Sequence, residues 1–267
     1  MSGSKPSIII VVIILILLLA SAYNATTISI SRLSKDKQDV LTIGINTPYK
    51  PFEYKIGDEI KGIDIEISKK IGEKLERDIK LVDFTDFSAI FPALESGSID
   101  MAISAITITS EREEIFNFSD SYYNTSQALL SLKKGNIKVS STSLISSDFS
   151  GLRIGVQELT TSQSWVDENL NGTIKSNIVF GDLNMGIQNL RLGGIDGIVL
   201  DESVANTLVK DYPDLIVIGV VKTDEKYGIM IKKGDPDKLL PVINEVITEM
   251  KNNGEYDKLI NKYFGGS

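Results

Sequence analysis

Two hydrophobic spacings alternate along this chain. Leu41, Ile43 and Ile45 alternate with Thr42, Gly44 and Asn46, which is the period-two pattern of a strand. "NTPYKPFEY" follows, with prolines at 48 and 51, and reads as a loop. "GIDIEISKKIGEKL" then sets Ile63, Ile67, Ile71 and Leu75 four apart, on one face of a helix. "IKLVDF" reads as a second strand, "FSAIFPALESGS" as a helix closed by Gly97, and "IDMAIS" as a third strand. The β-α-β-α-β order predicts a parallel sheet and an α/β fold.

The order recurs further on. "LRIGV" (152–156), "SNIVF" and "IDGIVL" read as strands, and "TTSQSWVDENL", "LNMGIQNLRLGG" and "ESVANTLV" as helices, with Asp182 as a cap. Leu94, Gly97, Ile99 and Asp100 form the string L-x-x-G-x-I-D, and Leu190, Gly193, Ile195 and Asp196 repeat it. Physically the string is a helix end, a glycine cap and entry into a strand. It points to two related halves, although the same junction also recurs by chance in α/β proteins.

The N-terminus changes the picture of where the protein works. Lys5 precedes "SIIIVVIILILLLASA", an apolar run ending in small residues at Ala20 and Ala22. This layout, residues 1–22, is that of a signal peptide or an N-terminal membrane anchor. Residues 23–39 are polar and read as a linker. The folded part is therefore expected outside the cytoplasmic membrane.

Composition removes much chemistry. The 267 residues include no cysteine and no histidine, which excludes disulfides, Cys-His catalysis and a Ser-His-Asp triad, and makes a zinc site unexpected. No metal or other cofactor is expected. The formal charge of −8 argues against a nucleic-acid partner. Hydrophobic residues make up 42% of the chain, enough for a packed core.

In open α/β sheets, ligands sit beyond the carboxyl ends of strands. Those ends here are Asn46, Ser104-Ala105, Gln157 and Leu200-Asp201, two per half. "AISAITITSEREEIFNFSDSYY" adds a lone cation, Arg112, after the hydroxyls of Ser104 and Thr107. A guanidinium holds a carboxylate bidentately, and Asp201 offers the opposite charge to an amine, so together they suit a zwitterion. The other reading is a solvated helix on which Arg112 pairs with Glu111 or Glu114.

Several segments carry a resemblance. "GIDIEISKKIGEKL", "ITITSEREEIFNFSDSYY", "YKPFEY", "VDFTDFSAIFPAL", "IDGIVLDE" and "NGEYDKLINKYFG" resemble, in order, the bacterial extracellular solute-binding proteins of family 3. These are the polar amino-acid receptors of ABC importers, and the likeness is greatest to their glutamine-binding branch. It runs from about Leu41 to Phe264. It implies a two-lobed periplasmic-binding-protein fold (type II), crossed twice by the chain. Lobe 1 would span 40–121 plus 228–267 and lobe 2 127–222, with hinge strands near 122–126 and 223–227.

The resemblance also implies roles. Arg112 would hold the ligand α-carboxylate, with Ser104, Ala105 and Thr107 as neighbouring contacts, and Asp201 would receive the α-amine. Tyr49 and Phe87 would flank the side chain, with Asn46 and Gln157 in reach. Thr160 and Thr161, at a helix start, would add donors to the carboxylate. Implied partners are a free amino acid, glutamine first, and an ABC transporter permease that recognises the closed form. The membrane is a further partner if the N-terminal segment stays uncleaved. The protein is expected to be a monomer and not an enzyme. The alternatives are a cyclohexadienyl-dehydratase-like enzyme or a ligand-sensing receptor on the same fold.

Two positions depart from the family pattern. Asn46 stands where an aspartate is common, and Leu159 where a glycine is usual. Glu158 would restore a negative charge if it turned inward. Trp165, Asp100 and Asp196 read as structural, and the sequons at Asn117, Asn124 and Asn171 as weak signals.

Overall fold

The computed structural model describes residues 40–265, except Asn136 and Ser140, together with Ser21 and Tyr23. Apart from those last two residues, the expected leader and linker lie outside the described residues. Among the described residues, no helix is long and apolar enough to cross a membrane.

In chain order the strands are β1 (Val40–Ile45), β2 (Tyr54–Ile56), β3 (Glu59–Lys61), β4 (Asp78–Asp83), β5 (Met101–Ala102), β6 (Phe116–Phe118), β7 (Tyr123–Leu132), β8 (Arg153–Gln157), β9 (Ser176–Phe180), β10 (Gly197–Asp201), β11 (Leu215–Tyr227) and β12 (Met230–Lys232). The helices are α1 (Ile63–Leu75), α2 (Ile90–Ser96), α3 (Ser110–Ile115), α4 (Thr161–Asn169), α5 (Leu183–Arg191), α6 (Glu202–Asp211), α7 (Leu239–Asn252) and α8 (Glu255–Phe264). One five-stranded sheet has the order β4-β1-β5-β12-β6, and the other β11-β7-β10-β8-β9. The fold is α/β with two lobes.

The hydrophobic periods explain the elements. Leu41, Ile43 and Ile45 of β1 are fully buried, as are Ile63 and Ile71 on the inner face of α1. Helix α1 starts after Gly62, whose φ is 139° and where a Cβ would sit 1.9 Å from the Phe52 carbonyl oxygen. No side chain fits there.

The repeated string has a structural job in each half. Gly97 and Gly193 take left-handed φ angles just past their helices. Asp100 accepts from both the backbone N–H and the hydroxyl of Thr42, at 2.7 Å each. Asp196 takes the matching place against Arg153, with its backbone N–H at 2.8 Å and guanidinium at 2.6 Å. Each aspartate thus ties the start of one strand to the first strand of its half.

The expected parallel sheet holds only at the core of each lobe. Strands β4, β1 and β5 run parallel, as do β10, β8 and β9. Strands β7, β11, β6 and β12 join antiparallel, because the chain leaves the first lobe and returns to it. The strand "IDMAIS" shrinks to Met101–Ala102 in regular pairing, and the helix expected from Phe87 opens as a 3-10 turn before α2. Trp165 packs on Phe149, with ring centroids 5.5 Å apart.

The two crossings lie side by side. Tyr123, Asn124 and Thr125 of β7 pair with Tyr227, Lys226 and Glu225 of β11. Beneath them Phe52 meets Tyr123 and Tyr227 edge-on at 5.0 and 5.1 Å, and Phe264 stacks on Tyr123 at 5.5 Å. This aromatic base joins the returning C-terminal helix to the crossing strands.

Candidate functional site

Strands β1, β5, β8 and β10 all point their carboxyl ends at the cleft between the lobes. A small cavity lies there, lined by Asn46, Tyr49, Phe87, Ser104, Ala105, Thr107, Arg112, Gln157, Thr160, Thr161 and Asp201. All of the sequence-based candidates therefore come together. Glu53 lines the same cavity and was not among them.

Arg112 sits on the short α3, whose N-cap Thr109 accepts from the Arg112 backbone N–H. Its guanidinium turns inward rather than toward Glu111 or Glu114. It donates to the carbonyls of Thr107 at 2.6 Å and, across the cleft, Leu159 at 2.9 Å. The rings of Phe91 and Phe87 lie 5.3 and 5.9 Å from it. Burial lowers its pKa to about 10, while Glu225 and Asp201 pull the other way, so it stays charged at neutral pH. Leu159 reaches Arg112 in a left-handed conformation, φ 57°, where a glycine would carry no strain.

Asp201 ends β10 and is 5% exposed. It accepts from the Tyr49 hydroxyl at 2.5 Å and the Gln127 amide at 2.9 Å. Burial raises its pKa to about 7, the neighbouring Glu225 adds to the shift, and hydrogen bonds from Tyr49 and Gln127 oppose it.

Asn46 and Gln157 meet across the cleft. Both Asn46 amide hydrogens go to backbone carbonyls, Phe84 at 2.8 Å and Thr85 at 3.2 Å. Those of Gln157 go to Asn46 Oδ1 at 3.0 Å and the Gly181 carbonyl at 2.9 Å. Carbonyls cannot donate, so neither amide can be turned round without losing these bonds. The hydroxyls are used in the same way: Ser104 donates to Glu53, Thr107 and Thr161 to Glu225, and Thr160 to the Gln157 carbonyl. With their hydrogens so used, Asn46 and Gln157 have only acceptor oxygen left to offer a ligand. Glu158, at the rim, accepts from Ser88 at 3.0 Å rather than turning inward.

Beneath Ser104, the Glu53 carboxyl is buried beside that of Asp64. Burial and the Asp64 charge push Glu53 well above the usual carboxylate range, and burial lifts Asp64 to about 6. The Ala105 backbone N–H and the Tyr122 hydroxyl donate to Asp64 at 2.8 and 3.1 Å. Ala105 is held there at φ 48°, a strained conformation at the edge of the cavity.

Sequence reasoning missed Glu53, Gln127 and Glu225. The last two lie on the crossing strands, where few residues face the cleft, and an acid inside "TDEKY" was the available signal. Among the described residues, no cluster of three acids could hold a metal.

Comparison with known proteins agrees with this architecture. Residues 41–266 match the family model of the bacterial extracellular solute-binding proteins, family 3. A probable histidine-binding protein of Campylobacter jejuni is 31% identical over 86% of this chain and 88% of its own length. The arginine-binding extracellular protein ArtP of Bacillus subtilis is also 31% identical, over 87% of this chain and 89% of its own. Among solved structures, an ancestral arginine-binding protein bound to arginine superposes with a TM-score of 0.78 at 33% identity, covering 85% of this chain and 98% of that one. The chain belongs to the bacterial extracellular solute-binding proteins, family 3.

Proposed function

We propose that this protein captures a polar amino acid outside the cytoplasmic membrane and delivers it to an ABC importer, without catalysis. The names of its relatives, histidine- and arginine-binding proteins, support this reading. Arg112 takes the α-carboxylate and Asp201 the α-ammonium, each buried in the closed cleft where an opposite charge is worth most. Lobe 1 comprises 40–121 plus 228–267 and lobe 2 127–222, and they close on the ligand about 122–126 and 223–227.

One observation carries the ligand class: all the amide hydrogens of Asn46 and Gln157 go to protein oxygens. A side chain ending between them meets acceptors and must bring donors. Glutamine, the first expectation from sequence, brings an amide nitrogen but also a carbonyl that needs a donor. Arginine, lysine and protonated histidine end in donors alone. We rank cationic side chains first, glutamine next and glutamate last. A thermal-shift screen against free amino acids tests the function: a ligand of the native state raises the melting temperature with concentration. No response to any amino acid would overturn it.

A further inference from the structure

Glu225, on the second crossing strand, is the most heavily bonded acid among the described residues. Its Oε1 accepts from Gln127 at 2.7 Å and Thr223 at 2.9 Å, and its Oε2 from Thr107 at 2.8 Å and Thr161 at 2.7 Å. Thr107 follows β5 in one lobe, and Thr161 opens α4 in the other. Their hydroxyl oxygens stand 3.5 Å apart, so one carboxylate oxygen gathers a donor from each side of the cleft. Gln127, on the first crossing strand, splits its amide hydrogens between Glu225 and Asp201.

We propose that Glu225 is a positioning residue for ligand capture: from the hinge it clasps the hydroxyls of Thr107 and Thr161 together, and so sets how readily the lobes close. The proposal rests on the reading of the cleft as an amino-acid pocket. The geometry separates this role from ligand recognition. Glu225 is 9% exposed and does not line the cavity, and its four donors are all protein groups. A residue that acts only on closure changes the fraction of competent closed protein. It lowers the affinity for every ligand by one common factor, because apparent affinity scales with that fraction. A residue that reads the ligand side chain changes the ratios between ligands instead, and one that holds the shared α-groups leaves closure of the ligand-free protein unchanged.

The experiment uses the folded chain with Glu225→Gln, and Thr223→Val, outside the cavity lining, as an independent loosening of the same carboxylate. Arginine, histidine, lysine and glutamine are titrated by calorimetry. Closure is followed by energy transfer between dyes on Lys69→Cys and Glu168→Cys, exposed positions in the two lobes of a chain with no native cysteine. Both variants are expected to weaken each ligand that wild type binds by the same factor, roughly 10- to 100-fold for lost bonds to a charged group. Both should also shift the ligand-free energy transfer toward the open form. Unchanged affinity, or a loss confined to one ligand class, overturns the proposal. Wild type that binds none of the four overturns the amino-acid reading itself, a separate result.

Discussion

The Tyr49 hydroxyl donates to the Asp201 carboxylate across the cleft, at 2.5 Å, from a loop of one lobe to the strand end of the other. The bond holds the lobes together at the acid proposed to receive the ligand ammonium. An incoming ammonium therefore meets an acceptor already fixed in place, with one oxygen held by Tyr49 and the other by Gln127.

Asp201 makes the protein respond to pH in two opposite ways. Its folded pKa is about 7, above its value of 3.8 in the open chain. A carboxylate raised in this way favours the folded state when protonated, so its contribution to stability grows as pH falls from 7 toward 4. Asp64, at about 6, acts in the same direction. The ammonium of a ligand needs the ionised form. Melting temperature without ligand should rise from pH 8 to pH 5.5, while affinity measured by calorimetry falls, approaching about tenfold per pH unit well below 7. Asp201→Asn should remove most of the pH dependence of binding.

Arg112→Lys keeps the charge and loses the fork. The lysine cannot span the Thr107 and Leu159 carbonyls and hold a carboxylate as well. Binding should weaken by roughly 2–5 kcal/mol, as when one partner of a buried charge pair is truncated. Calorimetry checks this, and unchanged affinity would return Arg112 to an ordinary ion-pairing role.

Gly62→Ala tests the fold apart from the site. The new methyl would meet the Phe52 carbonyl oxygen at 1.9 Å, at a φ of 139°. Denaturant unfolding should show a loss on the order of 2–4 kcal/mol. Gly57→Ala is a control: φ is 61° and no atom lies within 4 Å, so strain alone remains and the loss should be about 1 kcal/mol.

Much of this was legible in the sequence, for definite reasons. The period-four isoleucines of α1 and the alternation of β1 are direct images of burial, and the repeated L-x-x-G-x-I-D string marks the same junction in both lobes. Strand ends named Asn46, Gln157 and Asp201 before any geometry was known. The antiparallel crossings were harder to read, because local spacing carries no information about which strand a segment will join. Glu225 was hidden for the same reason: its four partners lie at 107, 127, 161 and 223, distant along the chain except Thr223. The direction of the Asn46 and Gln157 amides was also out of reach, since it depends on the carbonyls of Phe84, Thr85 and Gly181.

The most direct test is a competition series at pH 8 with arginine, lysine, histidine, glutamine and glutamate, repeated at pH 6.5 to charge the histidine ring. The account predicts that arginine or lysine binds most tightly, with glutamine behind them and glutamate weakest, and that Arg112→Lys weakens all of them. Tightest binding by glutamate would contradict it, because that ligand needs donors where Asn46 and Gln157 offer only acceptors.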